Sequence, residues 1–289
     1  MPFALFADSS CNIPQDVLIA RDIHIIPLMY TIGEETYTSF EWGVVFDSKA
    51  HFDRLRAKDV VHTSLINTEV FVNAFTPFLQ AGQDIVYVCI SSGISGTYQA
   101  ALLAAEELEG KYGDARVYVA DTLGASAGEG IMTLRAADMR DAGESAQTVA
   151  AWATDNRLHI CHILLADDLQ FLHRGGRLPA VAATIGTVLD LKPLWYFDAE
   201  GKCAVATKVR GKNRALKEMV RMYGEKTLQP QGDEVRLVHG DCEGDALELK
   251  RLLEEAHPGI KVLVDYIEPI VGAHTGPGSL ALVFWGKER

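Results

Sequence analysis

The chain has 289 residues, of which 48% are hydrophobic and 23% charged, so its composition is that of a globular protein and excludes disordered and fibrous classes. Its 39 acidic residues outnumber its 27 basic ones, and the formal net charge of -12 opposes nonspecific binding to nucleic acid or to an anionic membrane surface. The length allows one large domain or two of ordinary size, and we expect two.

Apolar runs alternate with helical patterns in the first half of the chain. The runs at residues 3–7, 85–90 and 117–120 each end in Asp, Ser or Thr and pass into a helical stretch. Such alternation predicts a parallel sheet flanked by helices. The polar residues that follow these strands should lie side by side at the carboxyl edge of the sheet, where ligands bind in such folds.

The loop at residues 91–99 joins the second apolar run to a predicted helix. Its hydroxyls surround the N–H groups of a helix N-terminus, and Gly93 and Gly96 would let the backbone approach a ligand closely, which suits an anion. The alternative is a Gly/Ser turn in which Ser95 or Thr97 caps the helix. The residues alone leave both interpretations open.

The second half of the chain shows a similar alternation. We predict an N-terminal α/β domain at residues 1–155 and a C-terminal α/β domain at residues 156–289. The last two predicted strands, 261–266 and 280–285, resemble an antiparallel pair around the turn at 274–278. A mixed sheet is therefore expected in the C-terminal domain.

The cysteines and the apolar segments indicate the cellular compartment of the protein. Five cysteines are scattered along the chain without a C-x-x-C pair, which favours reduced thiols over a disulfide framework or a zinc site. The N-terminus lacks the pattern of a signal peptide, and no apolar segment approaches the roughly 18 residues of a membrane span. We therefore expect a cytoplasmic protein without stable membrane insertion.

Motifs for catalysis are sparse. The chain has no G-x-x-x-x-G-K-[ST] loop, so ATP chemistry would need a partner. His159 and His162 lie three apart on a predicted strand and point to opposite faces, which disfavours a shared metal ion. The sequence Gly-Ala-Ser-Ala-Gly at 124–128 follows a predicted strand as a nucleophile elbow would. An α/β serine hydrolase or esterase using Ser126 is therefore the alternative function.

Seven short segments occur in a fixed order along the chain. They are Asp8-Ser9-Ser10, His62-Thr63-Ser64, Ser91 to Gln99, Asp167-Asp168-Leu169 with Gly175-Gly176-Arg177, Lys192-Pro193, Val209-Arg210-Gly211, and His274 to Gly278. Together they resemble the DegV family of fatty-acid-binding proteins, the FakB-type subunits of bacterial fatty acid kinase. The family usually has Thr-Ser-Gln-Pro in the second segment, where this chain has Thr-Ser-Leu-Ile.

This resemblance implies two α/β domains, with one fatty acid in a buried apolar tunnel and its carboxylate held between the domains. Thr63 and Ser95 would donate hydrogen bonds to the carboxylate with His274 close by, and two arginines would meet the phosphorylated head group. The implied fatty-acid-binding residues are Thr63, Ser92, Gly93, Ser95, Arg177, Arg210 and His274.

The implied function is that of a carrier rather than an enzyme. The protein would present a long-chain fatty acid to a separate ATP-binding kinase subunit and carry the acyl phosphate to phospholipid synthesis. It would contribute no catalytic residue, and it would need no metal ion and no cofactor besides the bound fatty acid. A buried carboxylate needs charge-assisted hydrogen bonds, whereas each buried methylene contributes about 0.8 kcal/mol to binding.

Overall fold

A computed structural model describes residues 3–178, 191–228 and 234–289. The chain forms two compact units. The first comprises Met1–Phe46 and Thr63–Arg157, and the second comprises Asp47–His62 and Leu158–Arg289. This division differs from the predicted boundary at residues 155 and 156 mainly because residues 47–62 belong to the second unit.

Strands and helices alternate over most of the described chain. The strands are β1 (Ala4–Asp8), β2 (Ile23–Ile26), β3 (Met29–Ile32), β4 (Glu35–Thr38), β5 (Val61–Ser64), β6 (Ile85–Cys89), β7 (Val117–Asp121), β8 (Ile160–Leu165), β9 (Leu191–Phe197), β10 (Cys203–Arg210), β11 (Glu234–His239), β12 (Lys261–Tyr266) and β13 (Leu280–Trp285). The helices are α1 (Gln15–Ala20), α2 (Ser48–Arg56), α3 (Thr68–Gln80), α4 (Thr97–Leu108), α5 (Ala127–Asp141), α6 (Ala146–Asn156), α7 (Gln170–Arg174), α8 (Lys212–Lys226), α9 (Glu243–Ala256) and α10 (Pro269–Thr275).

The first unit contains the predicted parallel sheet. Its strand order is β2-β1-β6-β7, and each neighbouring pair is parallel. Every residue of β1 and β6 is buried, as expected for central strands covered on both faces. Three further strands form a small sheet of order β4-β3-β5. The carboxyl ends of β1, β6 and β7 therefore lie along one edge.

The second unit contains the expected mixed sheet. Its order is β10-β9-β8-β13-β11-β12, and the β11–β12 pair is parallel while the other pairs are antiparallel. Buried residues of α8 and α9 pack with the sheet in one apolar core that includes Leu216, Leu249 and Leu282. The carboxyl ends of β8, β10 and β11 point to the same edge of this sheet.

The prediction that the last two strands pair with each other was wrong. β13 lies between β8 and β11 and pairs antiparallel with both, whereas β12 lies at the sheet edge beside β11. The segment that joins β12 to β13 contains α10, so His274 lies in the last turn of a helix rather than in a hairpin turn. Four of the six residues of β13 are buried, which suits a central strand.

Helix α2 packs within the second unit. Phe52 is fully buried and stacks with Tyr266 at a centroid distance of 6.3 Å. A Cβ atom placed on Gly272 of α10 would lie 2.9 Å from Cζ of Phe52, so the ring rests on the helix backbone. Arg56 forms an ion pair with Asp241 and also donates from Nη2 to its carbonyl oxygen at 2.8 Å. An aromatic anchor and a charged pair thus hold α2 in this unit.

Candidate functional site

The carboxyl edge of the parallel sheet gathers polar residues from three strands, as the sequence analysis predicts. Asp8 ends β1, Ser91 follows β6 and Asp121 ends β7. The carboxylate of Asp8 accepts a hydrogen bond from the Ile90 N–H at 3.0 Å, and that of Asp121 accepts one from the Ser92 N–H at 3.1 Å. Carboxylates therefore tie the neighbouring strand ends together.

Asp8 is fully buried at the centre of this edge. Its carboxylate also accepts hydrogen bonds from the Ser10 N–H at 2.9 Å and from the Tyr87 hydroxyl at 3.0 Å. Burial raises the pKa of Asp8 above its ordinary value, although the hydrogen bonds act in the opposite direction. The Ser10 hydroxyl donates to Glu129 at 2.6 Å. Asp8 thus organises the backbone around the edge.

The loop that follows β6 uses most of its amides internally. The N–H groups of Ile94 and Ser95 donate to the Ser91 carbonyl at 3.2 and 3.1 Å, and the Gly93 N–H donates to the Ser91 hydroxyl at 3.0 Å. The Thr97 N–H donates to Oγ of Ser95 at 3.3 Å. These contacts favour the interpretation as a Gly/Ser turn, although the N-cap residue of α4 is Gly96 rather than Ser95 or Thr97. Side-chain hydroxyls, which can rotate, are the donors that remain adaptable.

Thr63 and Ser95, the predicted carboxylate donors, lie in segments that contact each other within the first unit. Thr63 is half buried in β5, and Ser95 is half buried before α4. A Cβ atom placed on Gly96 would lie 3.0 Å from Cδ2 of Leu65, so the residues after Thr63 rest on the residues after Ser95. The departure from the family pattern at Leu65 therefore falls at this contact.

Thr97 connects the same two segments by hydrogen bonds. Its Oγ1 accepts from the Ser95 hydroxyl at 2.9 Å and from the Ile66 N–H at 3.4 Å. Thr97 is fully buried, so both contacts are shielded from water. The sequence predicts Thr97 as one of the loop hydroxyls or as a helix cap, but it does not predict the contact with Ile66, which spans 31 residues and has no local signal.

His274 lies in the second unit against the C-terminal end of α7. A Cβ atom placed on Gly175 would lie 2.9 Å from Cε1 of His274 and nearer still to Nδ1, so the imidazole packs on the Gly175 backbone. Burial, and then the positive charge of Arg177, lower the pKa of His274 to about 4. The ring is therefore neutral at pH 7.

The two predicted arginines also lie in the second unit. Arg177 is half buried and donates from Nη1 to the Gly175 carbonyl. Burial lowers the pKa of Arg177 from its usual range, without removing its charge at neutral pH. Arg210 is exposed and ends β10. Arg177 follows β8 through α7, so both cations come after strands whose carboxyl ends lie at one edge.

A network of opposite charges lies at the same edge of the mixed sheet. Asp167 pairs with Lys192 at 2.9 Å and with Lys212 at 3.0 Å, and Lys212 also pairs with Asp245 at 2.6 Å. Burial acts to raise the pKa of Asp167, but the two lysines outweigh it and lower that pKa. The sequence analysis missed Lys212 and Asp245, because charged residues in the first turn of a helix usually face solvent.

The structure thus distributes the predicted binding residues over both units. The hydroxyls lie in the first unit, and the cations and the imidazole lie in the second. Ser92 is exposed and Gly93 is half buried. The members are Thr63, Ser92, Gly93 and Ser95 in the first unit, and Arg177, Arg210 and His274 in the second.

Ser126 has the backbone of a nucleophile elbow but not the contacts of a catalytic serine. It lies between β7 and α5 with φ 55° and ψ -136°. Its hydroxyl donates to Oδ1 of Asn12 at 3.2 Å, and its exposed fraction is 5%. An amide oxygen is not a general base, so these contacts give the hydrolase alternative no support.

In residues 3–178, 191–228 and 234–289, no three His, Cys, Asp or Glu side chains are grouped to hold a metal ion. None of the helices in these ranges combines the length and the apolar character needed to cross a bilayer.

Comparison with known proteins gives one consistent result. A family model described as "Uncharacterised protein, DegV family" matches residues 2–287. The chain belongs to the DegV family. A DegV domain-containing protein of Clostridium perfringens is 34% identical over 287 residues, which cover 99% of this chain and 98% of that protein.

Solved structures of the DegV family share this fold. One from Thermus thermophilus, described by its fatty acid binding, has 28% identity and a TM-score of 0.86, and covers 99% of this chain and 100% of that one. DegV of Bacillus subtilis, described as a fatty acid binding protein, has 25% identity and a TM-score of 0.85 with the same coverage. The two-unit α/β architecture is therefore that of the DegV family.

Proposed function

We propose that the protein binds one long-chain fatty acid and presents its carboxylate to a separate ATP-dependent kinase subunit. The observation that carries the proposal is the pair of half-buried hydroxyls, Thr63 and Ser95, on mutually packed segments of the first unit. The fatty acid binding described for the Thermus thermophilus and Bacillus subtilis relatives supports the same ligand class.

In this proposal the Ser95 hydroxyl exchanges an internal acceptor for the carboxylate. The Ser95 hydroxyl donates to Oγ1 of Thr97, and a rotation about one bond would turn the O–H towards a carboxylate. Hydrogen bonds to an ionised acceptor are roughly twice as strong as neutral ones, so the exchange favours the bound state. The acyl tail supplies most of the affinity, at about 0.8 kcal/mol for each buried methylene.

His274 is proposed to donate one further hydrogen bond to the head group. Because its pKa is lowered to about 4, the imidazole is neutral at pH 7 and carries one N–H donor. A carboxylate beside the ring would raise that pKa. Replacing His274 by alanine is accordingly expected to weaken both fatty acid binding and phosphorylation.

Lipid analysis of the purified protein tests the proposed ligand. Mass spectrometry of an organic extract should find a long-chain fatty acid bound in a one-to-one ratio, because moving the methylenes of an acyl chain out of water is favourable. After removal of lipid, the protein should bind palmitate or oleate in a calorimetric titration. A protein that yields no fatty acid and binds none after delipidation would refute the proposal.

Arg177 and Arg210 are proposed to serve the phosphoryl group more than the resting acid. Replacing either by alanine should therefore reduce acyl phosphate formation with the partner kinase more than it reduces fatty acid affinity. The readout is acyl hydroxamate after trapping with hydroxylamine. The protein alone, given ATP, magnesium and fatty acid, should give none, and hydroxamate in that mixture would contradict the carrier role.

A further inference from the structure

Two segments of the second unit pack against each other in register. The first segment runs from the end of β8 through α7, and its contacting residues are four apart in sequence. The second runs from α10 to β13, and its contacting residues are two apart. The pairs are Asp167 with Gly278, Phe171 with Gly276, and Gly175 with His274.

Two of these contacts rest on glycines whose backbone already requires glycine. Gly278 and Gly276 have φ angles of +81° and +77°, in the left-handed region. A Cβ atom on Gly278 would lie 2.6 Å from Oδ2 of Asp167, and one on Gly276 would lie 2.6 Å from Cγ of Phe171. The turn that follows His274 is therefore fitted closely to the segment before Gly175.

Gly175 differs because its backbone does not require glycine. Its φ and ψ are -69° and -10°, which any residue adopts. The left-handed residue at the end of α7 is instead Gly176, with φ +71° and open space around it. The three atoms nearest to a Cβ placed on residue 175 all belong to the ring of His274.

We propose that α7 positions the imidazole of His274. Gly175 is the positioning residue, because the absence of a side chain at this position leaves room for the ring. This proposal rests on the proposed function only for the hydrogen bond that the ring would donate to the head group. It assigns to the first glycine of Gly175-Gly176-Arg177 a role separate from ending the helix.

A double-mutant cycle tests the contact itself. Gly175→Ala should lower the melting temperature in the parent chain, because the new methyl group and the ring compete for one space. In a His274→Ala background the same substitution should cost nothing or raise the melting temperature, because the methyl group then enters vacated space. Equal losses in both backgrounds, including failure to fold in both, would overturn the inference.

The second readout follows the ring directly. In the parent protein His274 should titrate near pH 4 by NMR, because it is buried beside Arg177. In Gly175→Ala the displaced ring should titrate nearer its ordinary value of 6.5. The His274→Ala protein identifies the signal by its absence. An unchanged titration and chemical shift in a folded Gly175→Ala protein would also overturn the inference.

Gly224→Ala provides the matched control. Gly224 lies inside α8, and its added methyl group would meet the ring of another histidine, His257, at 2.9 Å. This variant should lose stability without changing the titration of His274. Palmitate affinity should fall on the order of tenfold in Gly175→Ala, the loss of about one charge-assisted hydrogen bond, and stay unchanged in Gly224→Ala. A shifted titration with unchanged affinity supports the positioning role and counts against His274 as a ligand contact.

Discussion

Replacement of Asp8 by alanine should lower the free energy of unfolding by about 4 kcal/mol, because it leaves several buried donors without their acceptor. The Tyr87 hydroxyl and the N–H groups of Ser10 and Ile90 would each lose their acceptor. Chemical denaturation measures the loss. Asp47→Ala is the control, since Asp47 caps α2 at an exposed position through the Ala50 N–H. It should cost about 1 kcal/mol.

The pH dependence of the free energy of unfolding separates the effect of ionising Asp8 from the effect of the shape of its side chain. Because its pKa is raised in the folded state, the folded protein binds the proton more readily than the unfolded chain. Its contribution to stability is therefore fully present below the ordinary value of 3.8 and falls as the pH rises through the raised pKa. Asp8→Asn should lack this component. Parallel stability profiles of the parent and Asp8→Asn from pH 4 to pH 7 would contradict the assignment.

Removal of either proposed carboxylate donor should weaken fatty acid binding. Thr63→Ala and Ser95→Ala should each reduce palmitate affinity about tenfold, because a buried carboxylate loses one charge-assisted hydrogen bond. The double variant should lose on the order of a hundredfold if the two hydroxyls act independently. Calorimetric titration of delipidated protein measures the losses, and the melting temperature should change little.

Two serines control for the loss of a hydroxyl as such. Ser64 is the exposed neighbour of Thr63 and points to the opposite face of β5. Ser126 is buried and bonded to Asn12. Both should bind palmitate normally as alanine variants. If Thr63→Ala and Ser95→Ala also bind like the parent, the head group lies elsewhere.

The sequence was sufficient for features that depend on local pattern. The apolar runs at residues 85–90 and 117–120 are neighbouring parallel strands, as their alternation with helical patterns predicts. Strand β9 was missed, since Pro193 argues against a strand. In the observed register Pro193 pairs with Lys208 of β10 but lies beyond the pairing with β8, whose last residue, Leu165, pairs with Leu194.

Features that depend on contacts between residues far apart in sequence could not be predicted from the sequence. The sequence does not predict a helix at His274, because Gly272 is a poor helix former. Glu268 nevertheless caps α10 by accepting from the N–H groups of Ile270 and Val271. Gly272 is there because Phe52, far away in sequence, rests on it. The contact of Gly175 with His274 likewise leaves no local signal. Thus the sequence proposes candidate binding residues, but it does not show what holds them in place.

The early position of α2 in the chain has a consequence for biosynthesis. Arg56 leaves the ribosome 185 residues before its partner Asp241, an interval of roughly 10 to 40 s at ordinary translation speeds. During that time the face of α2 that carries Phe52 has no core to enter and is available to chaperones. A gene fragment that starts at residue 158 would encode the second unit without this helix. Such a fragment should be rescued by a separate peptide that spans residues 47–62.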